Sequence, residues 1–196
     1  MSIVKRSFVY GARSLAAITI FVMFFVMWVF YLREPTLSLW FHITHGNTVE
    51  FQGHKITLPL MWRVDRSDKR PGLILSRAIF LHPPSPGIMW GGVVFIQSPS
   101  SDRAGVLDDA SALRWQADKI ADIRSRNRTL EVSSEHLRSK SMTFYCLDVR
   151  TGFAGDSILC KAGRTDWLVF IATENVGAVK AQIQLQEART ILKSME

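Results

Sequence analysis

Two pairs of residues have types and spacings that could support chemistry. His42 and His45 are three residues apart, so on a helix they would share a face and could bind a metal ion. Gly46 disfavours a helix there, and no acidic ligand is adjacent. Ser67 and Lys69 lie in a charged turn that gives no shielded site in which a lysine could activate a serine. The sequence also lacks the nucleophile-elbow, phosphate-loop and dinucleotide-binding motifs. We therefore predict no catalytic residue, no metal site and no cofactor, and we do not expect an enzyme.

The two cysteines, Cys146 and Cys160, are placed symmetrically about Phe153. Residues 141–149 and 157–162 have the composition of strands, so an antiparallel hairpin centred on Phe153 would set the cysteines opposite each other. Opposed residues have Cα atoms roughly 4.5–5.5 Å apart, which is within the usual range for a disulfide. We predict a disulfide bond, and two buried free thiols are the alternative.

The longest apolar run in the chain, residues 14–32, has no charged residue, proline or glycine. As a helix it would reach roughly 28 Å, close to the ~30 Å hydrocarbon core of a bilayer. Basic residues precede the run, which favours a cytoplasmic N-terminus. The sequence therefore predicts a single-pass helix in the cell inner membrane, with the following domain in the periplasm or extracellular space. A cleaved signal peptide is the alternative, but no small-x-small cleavage site follows the run.

The predicted membrane helix divides the chain into four parts. Residues 1–13 would form a cytoplasmic tail, 14–32 the transmembrane helix, 33–46 a juxtamembrane connector and 47–196 an extracytoplasmic domain. About 150 residues suffice for one domain with its own core. The chain carries a net charge of +7, which favours loose attraction to anionic headgroups or acidic partners. The predicted location argues against nucleic acid as a partner.

Strand-like runs separated by turn residues lie on both sides of a mid-chain helical pattern, and a second helical pattern ends the sequence. The predicted strands are 48–51, 55–58, 61–64, 73–81, 93–96, 129–132, 141–149, 157–161 and 167–173. The predicted helices are 107–124 and 177–194. One face of the first helix would hold the stripe Ala110, Leu113, Ala117, Ile120 and Arg124, and the apolar stripe of the second would be Ala181, Leu185, Ala188, Leu192 and Met195. Segregated strands and helices favour an α+β fold, in which two helices pack on a mainly antiparallel sheet after the transmembrane helix.

The order of these elements carries a family resemblance. An opening hairpin leads into the Leu-Pro-Leu-Met-Trp segment at 58–62, and a mid-chain helix precedes a late strand at 167–170 and a closing segment at 191–194. This arrangement resembles the PsbP-like fold, which includes the DcrB-like bacterial lipoproteins, over roughly residues 48–195. The resemblance implies a non-catalytic accessory domain of membrane assemblies. The chain differs from those lipoproteins because a predicted membrane helix replaces the lipidated cysteine.

Two features are candidates for partner binding. Trp115 lies about 200° around its helix from Leu113, which the apolar pattern places in the core, so we expect Trp115 to point outward as an interface anchor. Ile88, Met89 and Trp90 end a loop rich in proline and glycine, and apolar loop tips often dock partners or headgroups. The alternatives are a tryptophan packed beneath a neighbouring loop and a loop folded over the sheet.

The expected function is that of an accessory or scaffold domain, anchored by one membrane helix, that docks onto a membrane or envelope protein complex. The expected contacts are the lipid bilayer, through residues 14–32, and a membrane or envelope protein. A small-molecule or lipid-binding module of the cell envelope, with a cleft beside the sheet, is the alternative.

Overall fold

The computed structural model describes residues 3–65, 72–78, 92–97, 108–127, 129–150, 156–173 and 178–196. These residues belong to two compact units, and the larger unit begins at Ser38.

The N-terminal part of the chain is helical but differs from the predicted membrane span. Helix α1 (Ile3–Met27) ends where a π-helical segment (Trp28–Leu32) begins, so residues 14–27 of the apolar run would rise only about 21 Å as regular helix. Within the described part of the chain, no helix is long and apolar enough to cross a membrane. The prediction of a transmembrane helix at 14–32 is therefore wrong, as is the single-pass inner-membrane localisation that followed from it.

Proline accounts for the change in helix type. Helix α2 (Arg33–His45) follows the π-helical segment directly. In a regular α-helix the ring of Pro35 would clash with the carbonyl of Tyr31, and proline has no N–H to donate. The π-helical segment just before α2 has wider turns than an α-helix and relieves that clash. Because α2 spans the predicted connector, the expectation that Gly46 disfavours a helix here is also wrong; Gly46 instead ends the helix at φ +76° and donates its N–H to His42 O at 2.9 Å.

The larger unit opens with the predicted hairpin. Strands β1 (Thr48–Phe51) and β2 (His54–Thr57) pair antiparallel. Gln52 and Gly53 form the turn with φ values of 50° and 81°, a pair of positive φ angles that suits a two-residue hairpin.

Among the described residues, seven further strands form one antiparallel sheet in the order β3-β4-β5-β9-β8-β7-β6. Their bounds are β3 Trp62–Val64, β4 Leu73–Arg77, β5 Val93–Gln97, β6 Glu131–Arg138, β7 Thr143–Arg150, β8 Ser157–Ala162 and β9 Leu168–Ala172. Helix α3 (Asp109–Arg126) precedes β6, and helix α4 (Ala178–Lys193) follows β9. The predicted α+β class with a mainly antiparallel sheet is confirmed.

The two helices α3 and α4 pack on opposite faces of the sheet. Successive side chains of a strand point to opposite faces. Asp148 of β7 pairs with Arg189 of α4, whereas Tyr145, on the other face of β7, bonds to Asp109 of α3. The α4 face holds the main core, and the helix contributes the predicted apolar stripe, all of it buried: Ala181, Leu185, Ala188, Leu192 and Met195.

The cysteine pair links two neighbouring strands of the sheet, β7 and β8. Cys146 of β7 is directly opposite Cys160 of β8, and both are fully buried. The two Sγ atoms are 2.08 Å apart, which is a disulfide distance. The predicted hairpin register and cysteine pairing are confirmed.

Candidate docking site

Helix α2 turns its polar side chains toward the larger unit. Ser38 is fully buried, and its hydroxyl donates to Leu60 O at 2.8 Å. His42 is buried with Nε2 at 2.9 Å from Trp62 O and 3.1 Å from Pro59 O. Its Nδ1 lies 2.9 Å from the Asn47 side-chain oxygen. These contacts hold one face of α2 against the segment between β2 and β3.

Three apolar side chains of α2 are exposed, whereas a fourth, Phe41, packs against the core. Leu39, Trp40 and Ile43 are 49%, 64% and 68% exposed, and Leu60, whose carbonyl accepts from Ser38 on this helix, is 58% exposed. A surface helix normally buries its apolar residues before its polar ones, so the exposure of these three beside the buried Ser38 and His42 is unusual. We call Leu39, Trp40, Ile43 and Leu60 the α2 surface. At roughly 100 Å² for each residue it amounts to about 400 Å², a size at which exposed apolar patches are often functional.

Helix α3 has a different phase from the one predicted. Its N-cap is Asp108, whose side chain accepts from Ser111 N at 2.8 Å. Ala112 and Gln116 face the sheet and are buried, whereas Leu113, which the apolar pattern placed in the core, is 48% exposed. The predicted stripe is therefore wrong, by about one residue around the helix.

A buried glutamine explains the phase of α3. Gln116 Nε2 donates to Cys146 O at 2.6 Å, and its Oε1 lies 3.2 Å from His136 Nε2. These bonds compensate the cost of burying the amide. A hydrophobicity pattern assigns glutamine to the surface, so no sequence signal could have placed this residue in the interior.

Trp115 is half-buried at the edge of the α3 contact with the sheet. Arg124 is nine residues further along, half a revolution around the helix, and donates to Val132 O of β6. Trp115 therefore points away from β6. Phe170 of β9, on the same face of the sheet as α3, is partly exposed and paired with Leu159 of β8.

A groove of about 450 Å³ runs along this side of α3. Its lining residues are Ser111, Arg114, Trp115, Asp118, Lys119 and Asp122. Burial opposes the ionisation of Asp122, but hydrogen bonds from Lys119 and Arg126 hold its pKa below the ordinary value. The groove therefore combines one aromatic wall with charges of both signs, and the role of Trp115 in partner binding stays a prediction.

The other predicted binding residues, Ile88, Met89 and Trp90, lie outside the described residues. His42 and His45 do share the helix α2, but His42 is engaged as described above and His45 stacks on Phe41 at 4.8 Å between ring centroids. No group of three or more potential metal ligands occurs in the part of the chain that the structure describes.

Two ionic clusters join α4 to the sheet, and the sequence did not indicate either. Glu187 accepts from Trp62 Nε1 at 2.8 Å and from Arg77 Nε at 2.6 Å. Burial opposes the ionisation of Glu187, but these two donors hold the pKa of its carboxyl below the ordinary value.

The second ionic cluster is centred on Arg189. This arginine donates to Glu135 at 2.6 Å and to the nearly buried Asp148 at 3.1 Å. Burial disfavours the charged guanidinium, but the two carboxylates raise the pKa of Arg189 above its ordinary value. Because the charges of both clusters are paired, we assign them to the docking of α4.

Comparison with known proteins does not assign the chain to a family. The chain matches no protein-family model. No curated protein matches it either.

Proposed function

We propose that this chain is a non-enzymatic accessory or scaffold protein that docks onto another protein through the α2 surface. The observation that supports the proposal is the exposure of Leu39, Trp40 and Ile43 on a helix that buries Ser38 and His42. The PsbP-like resemblance of the sequence implies the same class of function.

The α2 surface has the composition and rigidity of a binding site. A tryptophan lies at its centre, and tryptophan is among the residues most enriched at binding hot spots. The hydrogen bonds of Ser38 and His42 hold the helix in one orientation, so Trp40 is presented with little ordering cost upon binding. The net charge of +7 favours a partner with an acidic rim around its contact surface.

The test begins with the full chain, tagged and purified together with the proteins that bind it stoichiometrically. Once a partner has been identified by mass spectrometry and purified, its affinity is measured for the Trp40→Ser and Ile43→Ser variants. Each variant should lose about 30-fold or more in affinity, which corresponds to roughly 2 kcal/mol. The matched control is Leu113→Ser, because Leu113 is an exposed leucine on another helix.

The melting temperature of each variant separates binding from folding. Exposed side chains contribute little to stability, so both α2 variants should melt within about 2 °C of the parent chain. Unchanged affinity for both variants would exclude the α2 surface. If Trp115→Ala, Ile88→Ser or Trp90→Ser abolished binding instead, the docking site would lie at the positions that the sequence indicated.

A second candidate function is the binding of a small molecule or lipid beside the sheet. The groove along α3 is the candidate site: it is open to solvent and lined by α3 alone, and Trp115 offers an aromatic wall. Native mass spectrometry of the full chain should then show a bound mass that the Trp115→Ala variant lacks. A stoichiometric protein partner without a bound small molecule would argue against this function.

A further inference from the structure

The C-terminal half of helix α1 is apolar and exposed on every side. All residues from Leu15 to Trp28 are exposed. Successive side chains of a helix point about 100° apart, so this stretch covers every direction around the axis. Its large apolar side chains are 42–72% exposed: Leu15, Ile18, Ile20, Phe21, Val22, Met23, Phe24, Phe25, Val26, Met27 and Trp28.

The exposed apolar area is too large for one neighbouring helix to cover. Eleven side chains at roughly 100 Å² each amount to about 1,100 Å², spread all round the helix. A specific interface of standard size buries about 800 Å² on each partner, so contacts with more than one copy reach that size. A helix that is apolar all round is normally enclosed by other apolar surfaces, because water around it is unfavourable.

We propose that copies of this chain associate through residues 15–28, which comprise the end of α1 and Trp28 directly after it. The partner surface is residues 15–28 of another copy. The stretch carries no charged residue, so two copies meet without like-charge repulsion in either orientation. This association is separate from the docking proposed for the α2 surface.

One stripe of the helix has the spacing needed for helix pairing. Ile18, Phe21, Phe25 and Trp28 follow one another at intervals of three, four and three residues, the spacing of core positions in a paired helix. The rings of Phe25 and Trp28 are 6.5 Å apart, so these two side chains share a face. One neighbouring copy covers this stripe, and Phe24 on another face is left for a further copy.

Cross-linking of the full chain tests the contact directly. The sequence has two cysteines and both belong to the buried pair, so a Phe21→Cys or Phe25→Cys variant carries one reactive thiol. In excess mild detergent, oxidation of either variant should give a species of twice the 22.2 kDa chain mass on a non-reducing gel. The control is Leu113→Cys, because Leu113 is an exposed leucine on α3. Cross-linking no greater than that of the control would overturn the proposal.

The mass of the full chain in solution provides a second test. Light scattering should give a multiple of 22.2 kDa for the parent chain, and Phe21→Gln combined with Phe25→Gln should lower that multiple. The Leu113→Gln control should leave the multiple unchanged. A parent chain of single mass, whether alone, with bound phospholipid or with a different protein, would overturn the proposal. Neither the cross-linking nor the light-scattering result depends on the partner affinity of the Trp40→Ser variant. Self-association through α1 can therefore be refuted without refuting docking through the α2 surface, and the reverse also holds.

Discussion

Reduction of the cysteine pair should lower the stability of the larger unit by a predictable amount. Cys146 and Cys160 are 14 residues apart, so their bond closes a loop of about 15 residues. In the chain-entropy model such a loop contributes about 3 kcal/mol to the free energy of unfolding. For a chain of this size, each kcal/mol corresponds to roughly 2–4 °C, so the reduced protein should melt about 6–12 °C below the oxidised one.

Burial of both cysteines determines how the experiment is done. Because neither residue is exposed, a reductant in the surrounding buffer reaches the sulfurs only when the sheet opens. The reduced sample is therefore prepared by unfolding the chain in denaturant with reductant and then refolding it. Calorimetry compares its melting temperature with that of the oxidised chain. A Cys146→Ala and Cys160→Ala double variant, which is insensitive to reductant, should melt near the reduced chain or below it.

Three results would refute this reasoning. Peptide mapping of freshly isolated protein that recovers both thiols free would show that the pair is not bonded. Equal melting temperatures of the oxidised and reduced chains would show that the loop constraint contributes nothing. Rapid reduction of the native chain at 25 °C would show that the sheet around Cys146 opens far more readily than its burial implies.

Three further substitutions test the polar contacts of the larger unit. Arg189→Met should lower the free energy of unfolding in urea by about 2 kcal/mol, because the buried Asp148 loses its nearer cation and keeps only Arg150, at 3.9 Å; a loss below about 1 kcal/mol would contradict this. The folded state holds the pKa of Glu187 below its ordinary value of 4.5, so its contribution is present above that pH and is lost as the pH falls through the lowered value. Glu187→Gln should therefore flatten the loss of stability below about pH 4.5, and an unchanged slope in pH-dependent urea titrations would contradict it. His42→Ala should lower the melting temperature by about 3–8 °C, because the polar contacts of the buried ring with Asn47, Pro59 and Trp62 are lost, and it should also weaken partner binding by loosening α2.

Local patterns predicted the hairpins and their registers well. The turn at Gln52 and Gly53 specifies its own hairpin, and symmetric spacing about Phe153 placed the cysteines opposite each other. Both features depend on residues close together in sequence. The α4 stripe was also predicted, because apolar residues alone define its buried face.

Errors arose where polar residues take interior positions. The phase of α3 depends on Gln116, whose acceptor is a carbonyl on a distant strand. Gly46 was expected to disfavour a helix, whereas it forms the C-terminal cap of α2. The predicted transmembrane helix at 14–32 was wrong because the regular helix α1 ends at Met27, and a π-helical segment lies between it and the helix that contains Pro35.

The α2 surface could not be predicted from hydrophobicity, and its polar contacts explain why. Burying a histidine and a serine is costly unless their polar atoms are paired. The segment after β2 and the first residue of β3 supply three carbonyl oxygens, from Pro59, Leu60 and Trp62, which set the buried face of α2. Once Ser38 and His42 point inward, the geometry of a helix leaves Trp40 outside. The exposed apolar patch is therefore a direct consequence of specific hydrogen bonds, and a partner can bind it without disturbing the contacts that hold the helix.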